Sequence, residues 1–120
     1  TGLTVVAKQP ADFDRAKGMK VMENILQANP EVNAVFAHND EMALGALEAI
    51  KSSKRTGIIV VGFDATADAV KAVNDGTLAA TVAQKPKDMG KISIETAKKI
   101  IAKETVPATI PVALELVVKK

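Results

Sequence analysis

Ile58-Ile59-Val60-Val61-Gly62-Phe63 is a run of six residues with no charge and no polar side chain, four of them β-branched. Such a run is expected as a strand buried on both faces, at the centre of a sheet. It is the most apolar of a series. Leu3–Ala7, Val32–Ala37 and Leu78–Ala83 are shorter runs of the same kind. The segments between them have helical spacing. Phe13–Ala28 places Gly18, Met22, Ile25 and Leu26 on one side, Asn39–Lys51 places Ala43, Ala46, Leu47 and Ile50 on one stripe, and Thr66–Asn74 is a shorter helix. The boundaries carry their own signals: Asp12 or Asp14 caps the first helix, Asn29-Pro30 ends it, and Asp75-Gly76 stops the third. The resulting β-α-β-α-β-α-β order predicts an α/β fold, a parallel sheet with helices on both faces and right-handed crossovers.

The character changes after Gln84. Pro86 opens a long helix with Met89, Ile92, Thr96, Ala97 and Ile100 on one face. Beyond Thr105-Val106-Pro107 the chain closes with Ile110–Val118, a strand interrupted early by Pro111. There is no internal repeat and no low-complexity segment. At 120 residues the chain is one small domain or a piece of a larger one.

Composition removes several function classes. The net charge of +2 is spread out, the basic clusters Lys51-Ser-Ser-Lys54-Arg55 and Lys119-Lys120 are short, and there are three Phe with no Tyr or Trp. A nucleic-acid surface would show a basic stripe with exposed aromatics. The absence of cysteine excludes a disulfide frame, a thiol nucleophile and a cysteine metal site. No apolar run approaches the roughly 20 residues that span a bilayer. No signal peptide is seen, and a start at Thr1-Gly2 leads us to expect that the natural N-terminus is missing.

In an open parallel sheet the residues just past each strand lie on one edge, where ligands bind. Those junctions are Pro10–Asp14, His38-Asn39-Asp40, Asp64 and Gln84, so Phe13, Asn39, Asp64 and Gln84 are expected to face one crevice. A carboxylate, two carboxamides and an aromatic ring suit a neutral polyol. Asp64 can accept from neighbouring hydroxyls, Asn39 and Gln84 both donate and accept, and Phe13 can stack on the C–H face of a sugar ring. Structural readings compete with each of these. Asn39 is a good N-cap residue, with Asp40 and Glu41 in the first turn where the helix dipole favours anions. Asp64 can cap the next helix, Phe13 can be core, and Gln84 alone carries almost no signal. His38 is expected as a neighbour of the site rather than a ligand.

Catalytic readings are weaker. His38 is the single histidine, and no Ser-His or Cys-His arrangement is suggested locally. Asp12, Asp14, Asp40 and Asp64 form an acidic set of the kind used in metal-assisted phosphoryl chemistry, yet no glycine-rich phosphate loop accompanies them. No catalytic residue, metal ligand or cofactor is therefore assigned.

The segments Q-P-A-D-F-D-R (9–15), V-F-A-H-N-D-E-M-A-L-G-A-L (35–47), V-V-G-F-D (60–64), A-V-N-D-G-T-L-A-A-T-V-A-Q (72–84) and L-V-V-K (116–119) resemble, in order, the C-terminal part of bacterial periplasmic ribose-binding proteins. These are sugar-binding solute-binding proteins that feed ABC importers. The resemblance implies an incomplete C-terminal lobe of a type I periplasmic binding protein fold, made of residues 1–84 and 114–120. It implies that 85–113 form a hinge crossing and a helix of the N-terminal lobe. It also implies that Phe13 packs on the sugar ring while Asn39, Asp64 and Gln84 bond its hydroxyls. The implied partners are a monosaccharide (ribose or a related sugar), the membrane permease of an ABC importer and a chemoreceptor, with no nucleic acid. The implied location is the periplasm, or the cell exterior through a lipid anchor in a Gram-positive source. The family's N-terminal lobe, and the opening strand and helix of the C-terminal lobe, have no counterpart here. The isolated chain is thus expected to bind sugar weakly or not at all. The unpartnered helix after Pro86 is expected to seek that missing lobe or to drive self-association. Two other readings stay open at this point: the effector domain of a LacI-type sugar-responsive repressor, and a small α/β enzyme using the carboxylates.

Overall fold

The computed structural model describes residues 2–120, so Thr1 lies outside the described residues. Eight elements follow one another: α1 (Arg15–Ala28), β1 (Ala34–Phe36), α2 (Asp40–Ser52), β2 (Ile59–Phe63), α3 (Ala67–Asp75), β3 (Ala80–Ala83), α4 (Pro86–Ile101) and β4 (Glu115–Val118). Local chemistry sets the helix ends. Asp14, Asn39 and Thr66 are the N-caps of α1, α2 and α3, each accepting from a backbone N–H in the first turn. Gly76 closes α3 in the left-handed region, at φ 80°.

The sheet order is β1-β2-β3-β4. The first three strands are parallel, with Val35 opposite Val60 and Gly62 opposite Thr81. β2 lies between two partners, as its apolar run predicted. β4 runs antiparallel to β3, with Thr81 opposite Val117, so the sheet is mixed rather than wholly parallel. The reason is connectivity: β4 follows a long excursion through α4 and re-enters the sheet from the opposite end.

Period-two alternation separates the two faces. Val35, Val60, Gly62, Thr81 and Val117 lie on one face and pack on, or belong to, a core with Met22, Leu26, Ala43, Ala46, Ala69, Val73 and Leu78. The opposite face carries Phe36, Ile59, Leu116 and Val118, all exposed. Helices were expected on both faces, but among the described residues they cover only the first. Right-handed crossovers that step the same way, β1 to β2 to β3, must leave α2 and α3 on the same side. Only a reversal of strand order would populate the other.

Leu3–Ala7 was expected as a strand and is not one. Its β-propensity has nothing to pair with, and a lone extended segment leaves its N–H and C=O groups to solvent. α1 and α2 pack through glycines. A Cβ at Gly18 would stand 2.8 Å from the Met42 Cα, and one at Gly45 would run into the Arg15 carbonyl. Arg55 donates to the Val32 carbonyl at 2.8 Å and to the Pro30 carbonyl, so this member of the densest basic cluster clamps the loop after α1.

α4 contrasts with all of this, because none of its residues is buried. The radius of gyration is 17.9 Å, well above the roughly 14 Å of a compact chain of this length.

Candidate ligand-binding site

Three adjacent parallel strands end at Phe36, Phe63 and Ala83, and the residues that follow stand on one edge. Asp64 continues the β2–β3 ladder by donating its backbone N–H to the Val82 carbonyl at 2.8 Å. Its side-chain Oδ1 accepts from Gln84 Nε2 at 2.6 Å. The structure therefore brings together two of the four sequence-predicted residues in direct contact. Asn39 stands one strand over, at the mouth of α2. Its Oδ1 accepts from the Met42 N–H at 3.0 Å, and the residue is 9% exposed. The cap uses only the carbonyl half of the amide, and no hydrogen bond among the described residues takes up its two N–H donors. Helix cap and ligand contact are thus compatible in Asn39.

Phe13 makes no recorded contact with these three residues; it stands ahead of Arg15, whose side chain fixes the start of α1. Arg15, two residues on, sends Nε and Nη2 to the two carboxylate oxygens of Glu41, both at 2.9 Å, and Nη2 also to Asp68 at 3.0 Å. The N-termini of α1, α2 and α3 are thereby drawn together, and Phe13 is held just ahead of the first. The side chains of this cluster are 42–67% exposed, so it orients the edge more than it stabilises it. The hydrogen bond to Glu41, and after it the one to Asp68, holds the Arg15 pKa above its ordinary value. Phe13 itself is 65% exposed and sits at φ 56°, and Asp64 at φ 111°. Positive φ in non-glycine residues costs roughly 1–3 kcal/mol each and concentrates at functional positions.

The remaining residues sort differently. His38 is exposed and packs edge-on against Phe36, ring centroids 5.5 Å apart, on the open face of the sheet. Of the acidic set, Asp12 pairs with Lys17, Asp14 caps α1 and Asp40 is fully buried, and among the described residues no cluster is arranged to hold a metal. The grooves formed within 85–113, one of about 360 Å³ lined by Lys85, Asp88, Ile92 and Pro111–Ala113, include none of the four edge residues. The edge carries the Asn39 amide beside the hydrogen-bonded Asp64–Gln84 pair, and Phe13 stays exposed ahead of α1.

Sequence reasoning did not single out Thr81, and Asp40 stood out there only as a first-turn anion of α2 and as a member of the acidic set. Thr81 Oγ1 donates to Asp40 Oδ1 at 2.7 Å, with both residues 0% exposed. One signal was available, since a lone hydroxyl inside the apolar run Leu78–Ala83 must find a buried partner.

A family model described as the periplasmic binding protein domain matches residues 1–105. The chain belongs to this family. It is 58% identical over 116 residues to the ribose import binding protein of Escherichia coli K12, covering 97% of this chain and 39% of that protein. It is 54% identical over 118 residues to the ribose import binding protein of Bacillus subtilis 168, covering 98% and 38%. Among solved structures, an ABC transporter periplasmic solute-binding protein of Actinobacillus succinogenes with bound D-allose superimposes with a TM-score of 0.84 at 37% identity, covering 96% of this chain and 41% of that one. The chain thus spans about two fifths of the length of the relatives it matches. These relatives are named for ribose import and for solute binding in ABC transport.

Proposed function

We propose that this chain is one half of a two-lobed monosaccharide clamp that takes ribose and delivers it to the permease of an ABC importer, outside the cytoplasmic membrane. The observation that carries the reading is the convergence of Asn39, Asp64 and Gln84 on one strand edge, with Asp64 and Gln84 already bonded to each other. Asn39 offers N–H donors, Asp64 keeps one carboxylate oxygen for sugar hydroxyls, and Gln84 keeps its carbonyl. Phe13 supplies the apolar platform on which a ring's C–H face stacks. Relatives named for ribose import support the choice of sugar.

Residues 85–113 are assigned to the hinge crossing and the second lobe. α4 buries nothing against the elements described here, and its exposed Met89, Ile94 and Ile100 suit a partner surface supplied by that lobe or, in isolation, by a second copy. Binding is completed by closure of the two lobes rather than by chemistry, and the closed form is what the permease, and any chemoreceptor, would recognise.

The test is calorimetry on the full-length protein carrying this chain, with ribose, allose and arabinose as ligands. Ribose is expected to bind tightest. Asp64→Asn should weaken it by about 10- to 150-fold, the loss of a charge-assisted hydrogen bond worth about 1.5–3 kcal/mol. Unchanged ribose affinity in Asp64→Asn would overturn the proposal.

A further inference from the structure

We infer that Asp40 and Thr81 are positioning residues: a buried pair that holds the strained Asp64–Ala65 turn and so aims the Asp64 carboxylate at the ligand. This rests on the sugar-binding reading for its consequence and on geometry for its cause.

Asp64 and Ala65 occupy φ 111° and 54° in succession, and neither is glycine. Two adjacent residues in this region will not stay there unless the surroundings enforce it. Three consecutive backbone amides supply the enforcement. The Asp64 N–H donates to the Val82 carbonyl at 2.8 Å, the Ala65 N–H to Thr81 Oγ1 at 3.2 Å, and the Thr66 N–H to Asp40 Oδ2 at 2.7 Å. The first is an ordinary ladder bond. The other two depend on the buried pair, in which the Thr81 hydroxyl donates a hydrogen bond to Asp40 Oδ1 at 2.7 Å. Both carboxylate oxygens of Asp40 are therefore used, and no buried side-chain polar atom among the described residues lacks a partner.

The location fits the task. Asp40 follows Asn39, Thr81 lies three residues before Gln84, and Thr66 lies two after Asp64, so one buried carboxylate reaches the loops behind all three polar edge residues. Gly62 makes the room: a Cβ there would overlap Asp40 Oδ1. A carboxylate at the first turn of a helix is ordinarily solvated and serves the dipole. This one is completely buried and spends its bonds on other elements.

The test compares Thr81→Val and Thr81→Ser in the full-length protein carrying this chain. Thr81→Val keeps the shape and removes the hydroxyl, leaving Asp40 Oδ1 and the Ala65 N–H unpaired. Ribose affinity is expected to fall about ten-fold or more, whereas Thr81→Ser stays within about two-fold. In an Asp64→Ala background, where there is no carboxylate to aim, Thr81→Val should cost less than about two-fold further. Equal losses in both backgrounds, or a lowered melting temperature with unchanged affinity, would assign the pair a structural role only and overturn the inference. If the unmodified protein binds no sugar, the functional reading fails instead. The inference is then decided by a crystal structure of Thr81→Val: Asp64 is expected to leave positive φ and release Gln84, and an unchanged turn would refute it.

Discussion

Residues 11–83 and residues 86–113 obey different rules within one chain. The first region has capped helices packed through glycines, a one-sided sheet and a buried polar pair, and its main side chains find partners within a few elements. The second has a helix with a proper proline start and a regular apolar stripe, yet not one buried residue. Local sequence makes the helices of both regions; only tertiary neighbours make those of the first region part of a core. Regularity of pattern is therefore no guide to which part of a chain is complete.

Substitutions can break this contrast. The largest effect is expected at Leu78, 1% exposed in the core, where Leu78→Ala should cost about 2–5 kcal/mol in chemical denaturation. In this chain Ile94→Ala, at a residue 62% exposed on α4, should stay within about 0.5 kcal/mol. A comparable cost at both positions would mean that α4 is packed after all. The glycines sharpen the point. Gly45→Ala drives a methyl into the α1 backbone and is expected to destabilise by about 1–3 kcal/mol. A Cβ at Gly90 meets nothing, so Gly90→Ala should raise stability by about 0.5–1 kcal/mol through helix propensity alone. Amide exchange should show the same division, with α2 protected near the global limit and α4 exchanging through local opening.

The smallest effect belongs to the surface ion pairs of the packed region. The hydrogen bond to Asp12, then its charge, raises the Lys17 pKa above 10.5. A raised lysine pKa contributes stability that is fully present below the unfolded value and is lost as pH rises through the folded one. A faint alkaline weakening above pH 10.5, absent in Lys17→Met, is the expected signature in a pH series of melts.

What the sequence made legible follows the same line. Asn39 and Gly76 announce helix ends because caps are local chemistry, whereas α3 is capped by Thr66 and not by Asp64, the candidate named from sequence. The inner place of β2 followed from its apolar run, and the position of Asn39, Asp64 and Gln84 just past three strands from the geometry of parallel sheets. Leu3–Ala7 misled because pairing is a property of two segments, and the run shows only one. The direction of β4 was hidden by the excursion through α4. Asp40 was the subtlest case. In sequence it is an acidic residue in the first turn of a helix, and nothing nearby reveals that its partner is Thr81, 41 positions on.

If, as proposed, Asn39, Asp64 and Gln84 with Phe13 form half of a sugar site, the isolated chain lacks the contacts to hold ribose by itself. Calorimetric titration of ribose into this 120-residue chain and into the full-length protein tests it directly. No resolvable binding to the isolated chain, beside tight binding by the full-length protein, is the predicted result. Micromolar affinity of the isolated chain, matching the full-length protein, would contradict it.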